Sequence, residues 1–418
     1  MRAVKRRATQ AIATGARAGG CYAATPLRIR QPEGAPVSHL LLDVTSIVDA
    51  PFRSGIQRVE REVMRLWPGP DELVPVTLSA RGDWRLLPPE VLTVLSEPPG
   101  ALGTAFEDDR ARLAPLVAAS KRLPNDARHR MINLELFYEV HRADAYIRLC
   151  KAGCDVRWLV YDFLPMLSPE LFPQGTTGRC MHYIRALAHV PRTAFISTQT
   201  RDEYVRVVRG RIQPGPVLPL GADGLGLELQ SFTPSRLDFV LLGSIEPRKN
   251  PDRVMEAFRL LWAQGHPARL ILAGRIDPSV RTMVERFMAE AGPRATLLDH
   301  PSDTALRAAL RTARAVINGS EAEGFGLPPY EAVFSGIPCV AAASLPSVQL
   351  MPPFGHIALT EISPETIAAA VTTLLDDDQA ARVWQATRTI TLPTWKDFAV
   401  ALAAWAAELP LVRRPLQG

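Results

Sequence analysis

Glu323-Gly-Phe-Gly-Leu-Pro-Pro-Tyr-Glu331 is the stretch on which the reading of this chain turns. Two carboxylates bracket a glycine loop directly after Ala313-Arg-Ala-Val-Ile-Asn-Gly-Ser320, an apolar run that reads as a buried parallel strand. Pro328 and Pro329 fall where the first helical turn needs no backbone N–H. Gly324 and Gly326 let the backbone approach a ligand closely, and the helix start behind them offers free N–H groups to oxygen atoms. Glu323 then stands at the mouth of the loop and Glu331 about one turn into the helix, so that neutral hydroxyls can be gripped at both ends. The competing reading is a tight turn flanked by two solvated glutamates.

A second cluster has the same form. Asp238-Phe-Val-Leu-Leu-Gly-Ser-Ile245 reads as a strand, and Glu246-Pro-Arg-Lys-Asn-Pro251 leads into an amphipathic helix. Asn250 is placed to cap that helix, with Pro251 at its first position. Arg248 and Lys249 then project from a strand-to-helix turn, where two cations can neutralise a diphosphate. A solvated basic turn is the alternative.

Both stretches carry a resemblance. The first, with its continuation Glu331-Ala332, Gly336 and Pro338, resembles the signature of retaining glycosyltransferases of family 4, and Pro247-Arg-Lys-Asn250 of the second resembles that family's Pro-Arg-Lys-Asn subset, which is similar to bacterial mannosyltransferases. The second resembles that family's donor-phosphate loop after Gly243, except that Ser244 stands where many members carry arginine. The resemblance implies an α/β protein of the GT-B fold, two Rossmann-like doubly wound domains facing an interdomain cleft. It implies catalytic roles for Arg248, Lys249 and Glu323, and donor contacts from Gly243, Gly324, Phe325, Gly326, Leu327 and, on the ribose, Glu331. The implied partners are a GDP- or UDP-linked sugar as substrate and a glycan or lipid-linked acceptor, with no further cofactor.

The first half resembles the family more loosely. Asp43-Val-Thr45 followed by Ser54-Gly-Ile-Gln-Arg-Val59 looks like the loop that opens the first helix, with Gly55 towards the donor. Tyr161-Asp-Phe-Leu-Pro165 is similar to a His-Asp-x-x-Pro segment, but tyrosine holds the histidine position, so only Asp162 is carried over, to orient sugar or acceptor. A helix start and a turn-capping carboxylate are the plain alternatives.

The chain of 418 residues has room for two domains, and 47% hydrophobic with 22% charged residues is the composition of a globular protein. Alternating strand and helix patterns suggest a basic tail over 1–36, an acceptor-side domain over 37–225, a nucleotide-sugar domain over 236–393, and a terminal helix over 394–412 that crosses back to the first domain. Residues 89–130 show no clean period and read as an irregular insertion. The net charge of +5 comes from residues 1–32, which hold seven basic side chains and no acid; without them 41 basic residues face 43 acidic ones. That balance argues against a nucleic-acid-binding body. The tail reads as disorder with occasional contact to anionic membrane. No apolar run approaches the roughly 20 residues of a membrane span, and five cysteines in no framework fit a reducing cytoplasm.

Asp376-Asp-Asp378 formally matches an Asp-x-Asp metal motif, yet it sits between two helices where aspartates cap, and Glu107-Asp108-Asp109 is no stronger. With Arg248 and Lys249 available, no metal is expected at the diphosphate. The rival readings are an inactive scaffold of the same fold, a sugar-nucleotide epimerase, and a phosphorylase, for whose pyridoxal lysine there is no motif.

Overall fold

The computed structural model describes residues 39–51, 54–97, 105–124, 129–208 and 213–408. The basic tail lies outside them, as does whatever follows residue 408. The first sheet has seven strands: β1 His39–Asp43, β2 Glu72–Leu78, β3 Trp84–Leu86, β4 Lys121–Arg122, β5 Arg130–Asn133, β6 Asp155–Val160 and β7 Arg192–Phe195. Their spatial order is β4-β3-β2-β1-β5-β6-β7, parallel except for the β3 and β4 edge.

The second sheet has six strands: β8 Asp238–Leu242, β9 Arg269–Ala273, β10 Ala295–Leu298, β11 Ala313–Ile317, β12 Cys339–Ala342 and β13 Ile357–Leu359. They run in the order β10-β9-β8-β11-β12-β13, all parallel. Strands covered by helices on both faces are mostly apolar, and β8 and β11, buried at every position, carry only Asp238 and Arg314 as polar residues. Because β8 and β11 are neighbours from which the chain winds in opposite directions, a crevice opens beyond their carboxyl ends. The two loops singled out from the sequence leave the sheet there.

Helix Gly55–Leu66 turns Val59 and Val63 into the core, with Ile56 and Leu66 packed against it. The final helix, Trp395–Ala407, packs on Gly55–Leu66 and starts with a capping box of Thr394 and Asp397. Its last carbonyls take hydrogen bonds from the first sheet: Arg157 donates to Trp405 and Arg130 to Ala406. Guanidinium groups at a helix carboxyl end also favour its dipole.

Residues 89–130 are more regular than expected. Helices Glu90–Ser96 and Ala105–Ala118 make up half of the segment. The second contains Pro115, and among its described side chains only Leu113 is buried, so its apolar stripe is too thin to read. Asn250 also departs from expectation. It precedes helix Pro251–Ala263 in the left-handed region, φ 46°, and its side chain caps nothing.

Candidate functional site

The loop after β8 is held by its own polar groups. Pro247–Lys249 forms a single tight turn. Arg248 Nη2 lies 2.8 Å from Glu246 Oε1, and Lys249 Nζ is 4.0 Å from the same oxygen. Ser244 Oγ donates to that oxygen at 2.9 Å. The serine that replaces the family's arginine therefore anchors a carboxylate, and the carboxylate gathers the two cations. Lys249 Nζ hangs beside Gly243, 3.1 Å from where a Cβ would stand. Instead of capping its helix, Asn250 donates Nδ2 to the Gly319 carbonyl at 2.9 Å and to Glu321 at 3.3 Å, tying this loop to the one after β11.

In the loop after β11, Glu323 accepts a hydrogen bond from Ser320 Oγ at 2.6 Å, and Asn318 Oδ1 accepts the Ser320 N–H at 2.9 Å. Burial works against the Glu323 charge, but Lys249, Arg248 and the Ser320 and Asn318 hydrogen bonds outweigh it and hold the carboxyl below its usual range. Glu323 is therefore an ionised acceptor facing two cations. Gly326 takes φ 92°, a left-handed conformation that suits glycine, and starts helix Leu327–Phe334. Phe325 is 3% exposed and packs edge-on against Tyr330, with ring centres 5.1 Å apart, so its ring belongs to the core.

Glu331 has a different environment. It is buried, and Arg58 from helix Gly55–Leu66 donates to its Oε1 at 2.5 Å. A Cβ on Gly224 would come within 2.3 Å of the same oxygen. Burial raises the Glu331 pKa, and Arg58 opposes the rise. Nothing in the sequence paired these residues, although Arg58 stands in the quoted Ser54–Val59 stretch.

On the opposite wall, Tyr161 and Asp162 directly follow β6. Tyr161 is buried and donates its hydroxyl to the Leu134 carbonyl at 2.7 Å, so the residue in the histidine position serves the core. Asp162 Oδ1 accepts the Leu164 N–H at 3.1 Å, which closes the turn into Leu164–Leu167. A Cβ on Gly324 would lie 2.6 Å from the Tyr161 carbonyl and 3.1 Å from Asp162 Oδ2, so glycine is what allows the donor-side loop to sit this close. Burial raises the Asp162 pKa, with Arg248 among the groups opposing it. Asp162, Glu323 and Arg248 thus share one electrostatic environment. Gly55 begins its helix behind Ser54, whose Oγ caps Gln57 N at 3.2 Å, and a Cβ on Gly55 would meet no described atom within 4 Å.

Below this wall lies a charge network that the sequence did not suggest. Asp43 Oδ2 accepts from Arg142 at 2.7 and 3.2 Å and from the Tyr146 hydroxyl at 2.5 Å. Glu135 accepts from Arg142 and from the N–H groups of Ser46 and Ile47, both at 2.9 Å, which fixes the short helix Thr45–Asp49. Asp43 and Glu135 overcome the burial of Arg142 and keep it protonated well above its usual range. Glu60 is also buried, and neither of its carboxyl oxygens has a hydrogen-bond partner among the described residues.

Asp376 caps helix Asp377–Thr387 by accepting Gln379 N at 2.9 Å, and Asp377 pairs with Arg314 at 2.8 Å. Among the described residues no group of three or more acidic, histidine or cysteine side chains is arranged for a metal ion, and no helix is long and apolar enough to cross a membrane.

Residues 231–389 match the family described as glycosyl transferases group 1, a span that holds both loops. The chain carries a group 1 glycosyltransferase domain on a GT-B fold. The serotype-specific mannosyltransferase WbdA of Escherichia coli is 26% identical over 211 residues, 45% of this chain and 26% of WbdA. The match therefore spans about a quarter of that curated relative. HepE of Anabaena, solved with UDP and glucose, superimposes with a TM-score of 0.60 at 16% identity, over 89% of this chain and 100% of HepE. Sucrose-phosphate synthase of Thermosynechococcus elongatus gives 0.58 at 15% identity, over 88% of this chain and 98% of that one. At such identities the likeness speaks for the fold.

Proposed function

We propose that this GT-B protein transfers a hexose, with retention of configuration, from a GDP- or UDP-linked donor to a hydroxyl of a glycan or lipid-linked acceptor in surface polysaccharide synthesis. The observation that carries the reading is the meeting of Arg248, Lys249 and Glu323 at the ends of adjacent strands β8 and β11, with Asp162 facing them from β6. Arg248 and Lys249 leave Glu246 for the donor diphosphate and stabilise it as it departs. Glu323 and the loop N–H groups orient the sugar, and Glu331 accepts the ribose hydroxyls. The bond from the anomeric carbon to phosphate breaks and that to the acceptor oxygen forms, on one face. The acceptor proton passes to the leaving diphosphate.

UDP, named in the HepE structure, and the mannosyltransferase name of WbdA support the choice of donors. The two cations are assigned the part a divalent ion would play. The site is placed in the cytoplasm, with the basic tail touching anionic membrane; a chain starting at Val37 should then lose salt-sensitive binding to anionic vesicles.

Screening the purified protein for hydrolysis of nucleotide sugars tests the central reading. One hexose donor should be turned over, the proton NMR spectrum of the first product should show the donor's anomeric configuration, and excess EDTA should leave the rate unchanged. Inverted product, or a rate that dies in EDTA and returns with magnesium, would overturn the mechanism.

A further inference from the structure

Behind Asp162 lies a small, partly open cavity of about 10 Å³, lined by Asp162, Cys180 and Tyr183 among apolar side chains including Phe163 and Met166. That is the space of one water molecule, whose centre needs roughly 10–15 Å³ and two to four polar partners. Tyr183 is 2% exposed, and its hydroxyl has no hydrogen-bond partner among the described residues. The ring cannot turn to find one, because Trp158 stacks on it at 4.9 Å and Phe137 meets it edge-on at 5.4 Å. A buried phenol left unpaired is costly, whereas a bridging water satisfies it at small entropic cost. Asp162 gives Oδ1 to Leu164 N and turns Oδ2 towards Gly324. One wall of the cavity is therefore a phenol needing an acceptor, and another is a carboxylate with capacity to accept.

We propose that one buried water bridges the Tyr183 hydroxyl to the Asp162 carboxylate, and that Tyr183 is thereby a positioning residue for Asp162. The phenol donates to the water and the water donates to the carboxylate. This fixes the plane in which Asp162 meets a sugar or acceptor hydroxyl. Cys180 lines the third side. The kinetic part of the inference rests on the role given to Asp162 above; the water does not.

The test uses Tyr183→Phe, which keeps the ring and removes the hydroxyl, and Asp162→Asn. A high-resolution crystal structure of the wild-type protein should show a water within hydrogen-bonding distance of Tyr183 Oη and Asp162, and that of Tyr183→Phe should not. With the nucleotide sugar that the wild type hydrolyses, Tyr183→Phe should lower kcat about tenfold, the size of a lost hydrogen bond to a charged group, at unchanged KM. In the Asp162→Asn background the same change should do nothing further. A wild-type structure without that water, or effects of the two substitutions that simply multiply, would overturn the proposal. Full turnover by Asp162→Asn would instead remove the role of Asp162, while the crystallographic result would still decide the water.

Discussion

At the carboxyl ends of β1 and β5, the first half buries Arg142 beside Asp43 and Glu135, with Glu60 close by. At the ends of β8 and β11, the second half sets Arg248 and Lys249 beside Glu246 and Glu323, partly open to the crevice. The inventory of charges is similar and the placement is opposite. Buried charges are committed: their hydrogen bonds go to backbone N–H groups and a tyrosine that shape the wall. Charges at the crevice can exchange partners, because Glu246 holds the cations with one oxygen and a diphosphate offers more. Substitutions in the first group should therefore affect stability, and those in the second should affect turnover.

The largest effect is expected at Arg142. Arg142→Ala leaves Asp43 and Glu135 buried without their cation, and breaking such a pair costs about 3–5 kcal/mol. Denaturant unfolding should show a lowered midpoint. An unchanged midpoint would mean that water reaches the network, and the contrast between the two halves would lapse.

Next come Lys249→Ala and Arg248→Ala, each expected to remove about 2–4 kcal/mol of transition-state stabilisation, or roughly 30- to 1,000-fold in turnover. The melting temperature should stay near that of the wild type, since neither side chain supports the core. Loss of stability with turnover retained would reverse the assignment of the two regions.

A finer division is expected between the glutamates, each worth roughly 1.5–3 kcal/mol as a charged hydrogen-bonding group. Glu323→Ala should mainly depress kcat, because this carboxylate faces the reacting sugar. Glu331→Ala should mainly weaken binding of nucleoside diphosphate, measured by calorimetry. Arg58 already pairs with Glu331, so Arg58→Ala should change affinity for the nucleotide and leave kcat alone. Equal loss of affinity in both glutamate variants would break the division.

The second half was legible because its motifs are local. Each strand, loop and helix start is contiguous in the chain, and glycine and proline mark where they join. The first half is built from distant partners. Asp43 meets Arg142 99 residues away, and Arg58 meets Glu331 273 residues away. No local pattern reports such pairs. Strand β2 is hard to read from sequence because Pro75 sits inside it, in register with Leu42, where proline argues against an inner strand. Asn250 looked like a cap from its place before Pro251. Its left-handed backbone shows that the position is shaped by the need to reach Gly319 in the neighbouring loop.

The smallest effect, and the one of opposite sign, is expected at Glu60. Burial raises its pKa well above the usual value, Glu135 and Asp43 add to the rise, and Arg142 and Arg61 oppose it. The folded protein therefore holds this proton over a range where the unfolded chain releases it. Its contribution to stability is whole below the unfolded pKa, near 4.3, and is lost as the pH climbs through the raised folded value. Glu60→Gln keeps the shape and removes the titration, so the variant should gain on the wild type as pH rises above about 4.3. The net gain at neutral pH should be small, because the glutamine amide also enters a site with no hydrogen-bond partner for the side chain among the described residues. Thermal melting of both proteins from acid to neutral pH provides the comparison. Parallel curves would show that Glu60 is ionised in the fold, and with it that the first half tolerates a charge it does not pair.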